Sequence, residues 1–184
     1  MNIEEPERLK FHLEAIGRSN SDVNRDTWEN NGITTTFKDF TWSGDGWLNN
    51  ALRLRDSARA VINYKPLERP SVNPTNSFAF NIKFKVSSIT DESAIIVKCI
   101  DDTGVGFTIS TQEVKMVASG GETVSAKFAS GEVYNIMITS YFDANESSAD
   151  NEKLNDNMLY LYINGILSGA IEKSSGSGIY QTNP

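Results

Sequence analysis

The residues that could perform chemistry in this 184-residue chain are few. His12 is the single histidine and Cys99 the single cysteine, so the sequence offers no histidine cluster, no internal disulfide framework and no cysteine-based zinc site. A Ser-His-acid arrangement would have to use His12. His12 alternates with apolar residues in a segment that we predict to be a strand, which places it on the polar face.

No predicted strand carries two carboxylates at the spacing that sugar hydrolysis needs. A retaining glycosidase holds two carboxyl groups about 5 Å apart, and period-two spacing on one strand would bring such groups to the same face. Glu132, which opens a predicted strand, is followed by Val133 and Tyr134 rather than by a second acid. We therefore predict a protein that is not an enzyme, with a divergent glycoside hydrolase as the remaining catalytic alternative.

One acidic segment begins like a calcium-binding EF-hand loop. Asp143 and Asn145 have the spacing of the first two ligands. The sixth position, which requires glycine, is Ser148, and the twelfth, which requires glutamate, is Leu154. The segment is therefore predicted to be a solvated loop.

Charge and hydropathy exclude further classes of function. The formal net charge is −7. An acidic chain lacks the basic surface that nucleic acids and anionic lipid headgroups need. The apolar runs are too short to span a membrane, and the acidic start of the chain differs from the basic and then apolar start of a signal peptide.

The elements that must position these residues are predicted to be β-strands. The clearest covers residues 77–86, where Phe78, Phe80, Ile82 and Phe84 alternate with polar or small residues. The pair Asn164-Gly165 between two apolar runs predicts a hairpin, because a type I′ turn needs positive φ at both central residues. Further strands are predicted at 9–15, 33–37, 51–54, 58–63, 94–100, 105–110, 114–118, 123–128, 132–140, 158–163 and 166–172, with a loop at 19–31.

About a dozen short strands with regularly spaced turns are typical of a β-sandwich or jelly roll. The order of several segments also resembles a known family, the laminin-G-like and concanavalin-A-like jelly rolls in tail and other structural proteins of phages of Gram-positive bacteria. The segments are GDGWL at 44–48, ALRL at 51–54, FAFNIKF at 78–84, GVGF at 104–107 and LYLYINGILSG at 159–169.

This resemblance implies an all-β fold, a single domain over residues 1–184 of two stacked antiparallel sheets, with ligands on a concave face or its rim. Members of the family usually close with a strand beside the N-terminal one. No strand-like run follows the Ser/Gly-rich tail, so we expect a fragment that lacks its closing strand and has an open edge beside residues 9–15. Hydrolases of this fold carry Glu-x-Asp-x-Glu or Glu-x-Asp-x-x-Glu on one strand, and this sequence contains neither pattern.

Aromatic residues are the candidate glycan contacts, because ring faces stack on sugar C–H surfaces. Trp42 and Trp47 could serve at the rim, although core packing is the favoured alternative for both. Tyr160 and Tyr162 lie opposite the leucines of their strand and would line the other surface if the leucines are core. Asn145 could add hydrogen bonds from its loop.

The resemblance also suggests a calcium ion at the rim, because laminin-G-like domains hold calcium there through Asp or Asn side chains and backbone carbonyls. Asp101 and Asp102 are the candidates for this site, and turn formation is their alternative role.

The function predicted from all of this is a non-enzymatic carbohydrate-binding or adhesion module of a phage tail or other virion structural protein. The alternative is a purely structural module that contacts other subunits and binds no glycan. The expected partners are host-surface glycans or other virion subunits, with self-association through an open sheet edge. The expected location is the virion, or a prophage product made in the bacterial cytoplasm without a signal peptide.

Overall fold

The computed structural model describes residues 12–30, 33–55, 58–62, 78–87, 95–100, 104–140, 158–172 and 179–180. These residues form strands, turns and irregular segments but no helix, which confirms the all-β fold class. Accordingly, no described segment is a helix long and apolar enough to cross a membrane. The chain divides into two compact units, Met1–Tyr64 and Lys65–Pro184.

The described residues of the first unit form five short strands. They are β1 (Trp28–Asn30), β2 (Ile33–Lys38), β3 (Gly46–Leu48), β4 (Ala51–Arg53) and β5 (Arg59–Ile62). The order β1-β2-β5 forms an antiparallel three-stranded sheet, and β3 and β4 form a hairpin. Asn49 and Asn50 connect the hairpin with φ angles of 52° and 59°. Two successive positive φ angles make a type I′ turn, for which asparagine is well suited.

Where the structure describes the second unit, its strands form two antiparallel sheets. Its strands are β6 (Phe78–Lys85), β7 (Ile95–Ile100), β8 (Gly106–Ser110), β9 (Glu113–Val117), β10 (Thr123–Lys127), β11 (Val133–Ser140), β12 (Met158–Ile163), β13 (Ile166–Glu172) and β14 (Ile179–Tyr180). One sheet has the order β10-β9-β8-β7, and the other has the order β14-β13-β12-β11-β6. The four-stranded sheet is a simple meander, whereas β6 pairs with β11 across a long sequence separation.

The two sheets share one apolar core. Phe107 and Ile109 from β8 and Ile136 and Ile138 from β11 are fully buried members of the same cluster. The ring of Phe80 on β6 lies 5.1 Å from that of Phe107, centroid to centroid, so the contact joins the sheets directly. The two sheets of the second unit therefore pack face to face and form a β-sandwich.

The period-two pattern of the sequence is confirmed in this sandwich. Ile136 and Ile138 point into the core with Tyr134 half-buried on the same side, and Leu159 and Leu161 do the same on β12. The Asn164-Gly165 hairpin is also confirmed, with φ angles of 51° and 83°. The strands predicted between residues 77 and 172 agree with the structure to within one residue at each described end.

Three expectations about irregular segments are wrong. Residues 12–15 of the strand predicted at 9–15 lie in no strand, while residues 9–11 lie outside the described ranges. Ile179–Tyr180 forms β14 beside β13, although no strand was expected after the Ser/Gly-rich tail. The loop predicted at 19–31 is a series of turns up to Thr27, but it ends in strand β1. These strands of two or three residues are too short to show a periodic pattern.

The single domain over residues 1–184 and the missing closing strand stay predictions. The edge expected beside residues 9–15 also involves residues outside the described ranges.

We expect the shared core to dominate the stability of the sandwich. Ile138→Ala should lower its free energy of unfolding by about 2–5 kcal/mol, because it removes buried methyl groups and leaves a cavity. Urea denaturation followed by far-UV circular dichroism measures this change. Ile166→Ala is the control, since Ile166 is 68% exposed and its truncation should change stability by no more than about 0.5 kcal/mol. Equal effects of the two variants would contradict the assignment of the core.

Candidate functional site

The face of the five-stranded sheet that points away from the core, here called the outer face, carries polar and aromatic side chains. Asn81 on β6 lies opposite Met137 on β11, and Met137 lies opposite Tyr162 on β12. Directly paired residues share a face, so the three side chains form one row across three strands. Asn81 is exposed, while Met137 and Tyr162 are half-buried. The row therefore presents an amide and an aromatic ring on a rigid sheet.

An amide pair lies at the end of this row. The Asn81 Nδ2 group donates a 2.9 Å hydrogen bond to Asn135 Oδ1, and both residues are exposed. Asn135 is anchored further by its backbone, whose N–H donates to Asn164 Oδ1 and whose carbonyl accepts from the Asn164 N–H. These bonds fix the position of the amide pair relative to the hairpin turn.

The two tyrosines of β12 differ in exposure. Both lie on the outer face, as expected if the leucines are core. Tyr160 is only 8% exposed and packs with Met158 and Ala170, so its ring does not present an open stacking surface. Tyr162 packs at the border of this small cluster and remains half-exposed. The expected pair of surface tyrosines is therefore reduced to Tyr162.

A local irregularity lies next to Tyr162. Leu161 pairs with Gly169 and Tyr162 with Leu167, so Ser168 is an extra residue on β13. Such a β-bulge bends the strand and changes the direction of neighbouring side chains. The bulge therefore lies at the boundary between the part of the outer face around the buried Tyr160 and the part around the half-exposed Tyr162.

The first unit contains an aromatic cluster around Trp47. Trp47 is 4% exposed, and its indole N–H donates a 2.8 Å hydrogen bond to the Arg25 carbonyl. Its ring meets Trp28 edge-on at 5.2 Å and Phe37 at 5.9 Å between centroids. Trp47 is therefore a core residue of this unit, in agreement with the favoured alternative.

Trp42 is the more accessible of the two tryptophan candidates. Its ring is half-buried against Phe37 and Phe40, at centroid distances of 5.5 Å and 5.1 Å. The Arg25 guanidinium lies over the ring at 5.5 Å from the centroid, in a cation–π arrangement. Arg18 lies in the same manner over Trp47, at 4.4 Å. Both arginines thus cover aromatic faces of the cluster.

A single side chain holds the segment that carries both tryptophans. Asn20 Nδ2 donates to the Trp42 carbonyl at 2.8 Å and to the Asp45 carbonyl at 3.1 Å, and Asn20 Oδ1 accepts from the Trp47 backbone N–H at 2.6 Å. Gly46 lies within this loop with a φ of 99°, and an added Cβ atom there would clash with Asn20 Oδ1 and with the Trp42 ring. The positive φ and the close approach of both side chains therefore favour glycine at position 46.

Asp45 is a buried carboxylate in the same loop, 5% exposed. Its Oδ2 atom accepts hydrogen bonds of 3.0 Å from both the backbone N–H and the hydroxyl of Thr41. Burial alone would raise the pKa of Asp45. The hydrogen bonds from Thr41, together with the backbone and charge of Arg55, outweigh burial and hold that pKa below its ordinary value.

The remaining candidates are placed as follows. Asp101, Asp102 and Asn145 lie outside the described residues. His12 is exposed. Over the ranges that the structure describes, no group of three or more His, Cys, Asp or Glu residues could hold a metal ion.

Comparison with known proteins adds no relative. No family model, no curated protein and no solved structure matches this chain.

Sequence reasoning missed the amide pair and the Asn20 network. The alternation over residues 77–86 places Asn81 on the polar face of its strand, but its hydrogen-bonding partner Asn135 lies 54 residues away. The run of Gly, Asp and Asn residues between positions 44 and 50 was the available signal for the network. Neither signal identifies the hydrogen-bonding partner, because the fold determines which residues come into contact.

We expect Asp45 to stabilise the first unit. The Asp45→Asn change should lower its stability at neutral pH by about 1–3 kcal/mol, because a charged acceptor of two hydrogen bonds is lost. All three tryptophans lie in this unit, so tryptophan fluorescence during urea unfolding reports on it alone. Asp39→Asn is the control, since Asp39 forms an exposed ion pair with Arg59 at 3.3 Å.

The same carboxylate predicts a dependence on pH. Because the folded-state pKa of Asp45 is lowered, its contribution is present above the unfolded-state value of about 4 and is lost as pH falls through the lower folded-state value. The native chain should lose more stability than Asp45→Asn in this acidic window. Parallel acid profiles of the two proteins would contradict this role for Asp45.

Proposed function

We propose that the chain is a non-enzymatic carbohydrate-binding or adhesion module of a phage tail or related virion structural protein. The observation that carries this proposal is the row of Asn81, Met137 and Tyr162 on the outer face, with Asn135 beside it. Aromatic rings stack on the C–H faces of sugars, while amides donate to and accept from hydroxyl groups. This is the combination of contacts that a sugar needs.

The architecture of the second unit supports the fold part of the proposal. A jelly roll of the laminin-G-like and concanavalin-A-like kind stacks two antiparallel sheets, and the second unit has two such sheets on a common core. The role on a virion, and host-surface glycans as partners, rest on the resemblance of the sequence.

Trp42 is a second candidate contact, in the first unit. Its half-buried ring has a guanidinium over it and two phenylalanines against it, so the ring is held in place before any ligand arrives. A sugar would contact the part of the ring that Arg25 and the phenylalanines leave exposed, and an aromatic side chain that is already ordered loses little entropy on binding. Trp42 and the outer face are tested separately, because each belongs to its own unit.

The test is a glycan array followed by titration of the bound glycans. We expect Tyr162→Ala and Asn81→Ala each to weaken binding at least tenfold, equivalent to about 1.4 kcal/mol, because each removes a direct contact. Ile166→Ala, on the same sheet, should leave the affinity unchanged. The loss of glycan affinity in Trp42→Ala measures how much the first unit contributes to binding. Failure of the native chain to bind any glycan would overturn the proposal.

A specific observation favours the alternative, a structural module that contacts other subunits. Among the described residues, β7 is an edge strand of its sheet, and Ile95 is 63% exposed there. Ile100 is also exposed, and Lys98 is the one charged side chain of the strand. Apolar edge strands with few charges favour pairing with another chain.

Light scattering at increasing concentration tests this alternative. If the alternative holds, we expect the native chain to have a mass above that of the monomer. Ile95→Lys should return the protein to the monomer, because edge lysines oppose strand addition. Ile166→Lys adds the same charge at a similarly exposed site and should not change the mass. A native chain that stays monomeric at high concentration would contradict self-assembly through β7.

A further inference from the structure

The outer face has a distinct charge pattern. Its β6 positions are Ala79, Asn81, Lys83 and Lys85, all of them exposed. The outer positions of β11 are Val133, Asn135, Met137 and Thr139, none of which is charged. The lysines are therefore the charged groups of this part of the face, in a chain whose net charge is −7.

From this pattern we propose that the outer face binds an anionic glycan, a sugar chain that carries carboxylate or phosphate groups, with Lys83 and Lys85 as its cationic contacts. The inference rests on the proposed function and specifies its ligand class. A positive area on an acidic protein attracts anions locally while the rest of the surface repels them. The preference for anionic over neutral glycans then arises from the position of the two lysines rather than from the net charge of the chain.

The geometry places charge and sugar contacts side by side. Lys83 lies directly opposite Asn135, and Asn135 is hydrogen-bonded to Asn81. Residues paired across strands have Cβ atoms about 5 Å apart, and residues two apart on one strand are separated by about 7 Å. A single sugar unit can therefore contact the amide pair while its acidic group contacts Lys83. Lys85 lies one step further along β6, in reach of a neighbouring acidic group.

The amide pair keeps most of its hydrogen-bonding groups for a ligand. The bond between Asn81 and Asn135 uses one N–H and one oxygen. Each amide group has two N–H donors and one carbonyl oxygen, so Asn81 Oδ1 and the other N–H groups can bind hydroxyl groups. Neither lysine forms a salt bridge to a carboxylate within the described residues. An incoming acidic group thus has no described ion pair to displace.

The experiment measures binding of the full chain to matched probes. The first pair is oligogalacturonate and its methyl ester, which share a backbone but differ in charge. The second pair is a phosphorylated mannose oligosaccharide and its dephosphorylated form. We expect the charged member of at least one pair to bind at least tenfold more tightly at about 0.01 M salt, and this preference to fall at about 1 M salt, where the Debye length is about 3 Å. The two pairs distinguish carboxylate from phosphate as the source of the charge.

The variants separate local from total charge. Lys83→Gln with Lys85→Gln should remove the preference for the charged probe and leave binding of its neutral partner within twofold. Lys98→Gln with Lys127→Gln changes net charge equally on the four-stranded sheet, where both lysines are exposed, and should keep the preference.

The outcomes distinguish this inference from the function on which it rests. Equal losses from the two double variants would overturn it, as would equal affinity for the charged and neutral members of both pairs. Binding of neutral glycans that depends on Tyr162 but not on the lysines would overturn the inference and leave the proposed function standing. Failure to bind any glycan would overturn both.

Discussion

The packing of two sheets on one apolar core is the interaction on which the second unit depends. The fully buried residues come from both sheets, among them Phe107 and Ile109 on one side and Ile136, Ile138 and Leu161 on the other. Burial of each such side chain contributes about 1.5–3 kcal/mol. Because side chains alternate along a strand, placing Ile136 and Ile138 inward also places the residues between and beside them outward. A slip of one residue would invert both faces, so the core determines which groups the outer face presents.

Whether a feature of the fold or of the candidate site could be predicted from the sequence depends on how far apart the interacting residues lie in the chain. The alternation of phenylalanines in β6 and the Asn164-Gly165 turn are local signals, and both predicted structure correctly. The pairing of β6 with β11 is not local, since it joins residues tens of positions apart. The amide pair between Asn81 and Asn135 depends on this register. A candidate binding surface assembled from three strands therefore had to wait for the structure, although each strand was recognised separately.

Burial separated the aromatic candidates where the sequence pattern could not. Tyr160 and Tyr162 have the same phase in one strand, yet one is buried with Met158 and Ala170 and the other is half-exposed. In the first unit, Trp47 is enclosed by other aromatic rings, while Trp42 keeps part of its ring accessible. Period two assigns a side chain to a face, but the exposure of that face changes along the strand with what packs against it.

Polar groups stabilise the first unit in a different manner from the core of the sandwich. Asn20 bonds three backbone groups of the loop that carries Trp42, Asp45 and Trp47. Asp45 in turn accepts two bonds from Thr41. A buried carboxylate is costly unless hydrogen bonds compensate it. The bonds from Thr41 compensate Asp45 at Oδ2, whereas its buried Oδ1 atom has no hydrogen-bond partner among the described residues. Together with the three bonds of Asn20, the bonds from Thr41 restrict the loop to one arrangement. This explains how short strands, with little apolar area of their own, can hold aromatic rings in defined positions.

The same rigidity bears on how a surface without catalytic groups would bind. Asn81, Asn135 and Tyr162 lie on paired strands, so a ligand would not have to order them on binding. Exposed amides and a single ring nevertheless supply few contacts, and one such site binds weakly. In the proposed adhesive role, repeated copies on one particle would compensate, because linked sites bind with an effective concentration that raises avidity without new contacts. A weak and rigid single site is therefore compatible with firm attachment, provided that several copies can reach the same surface.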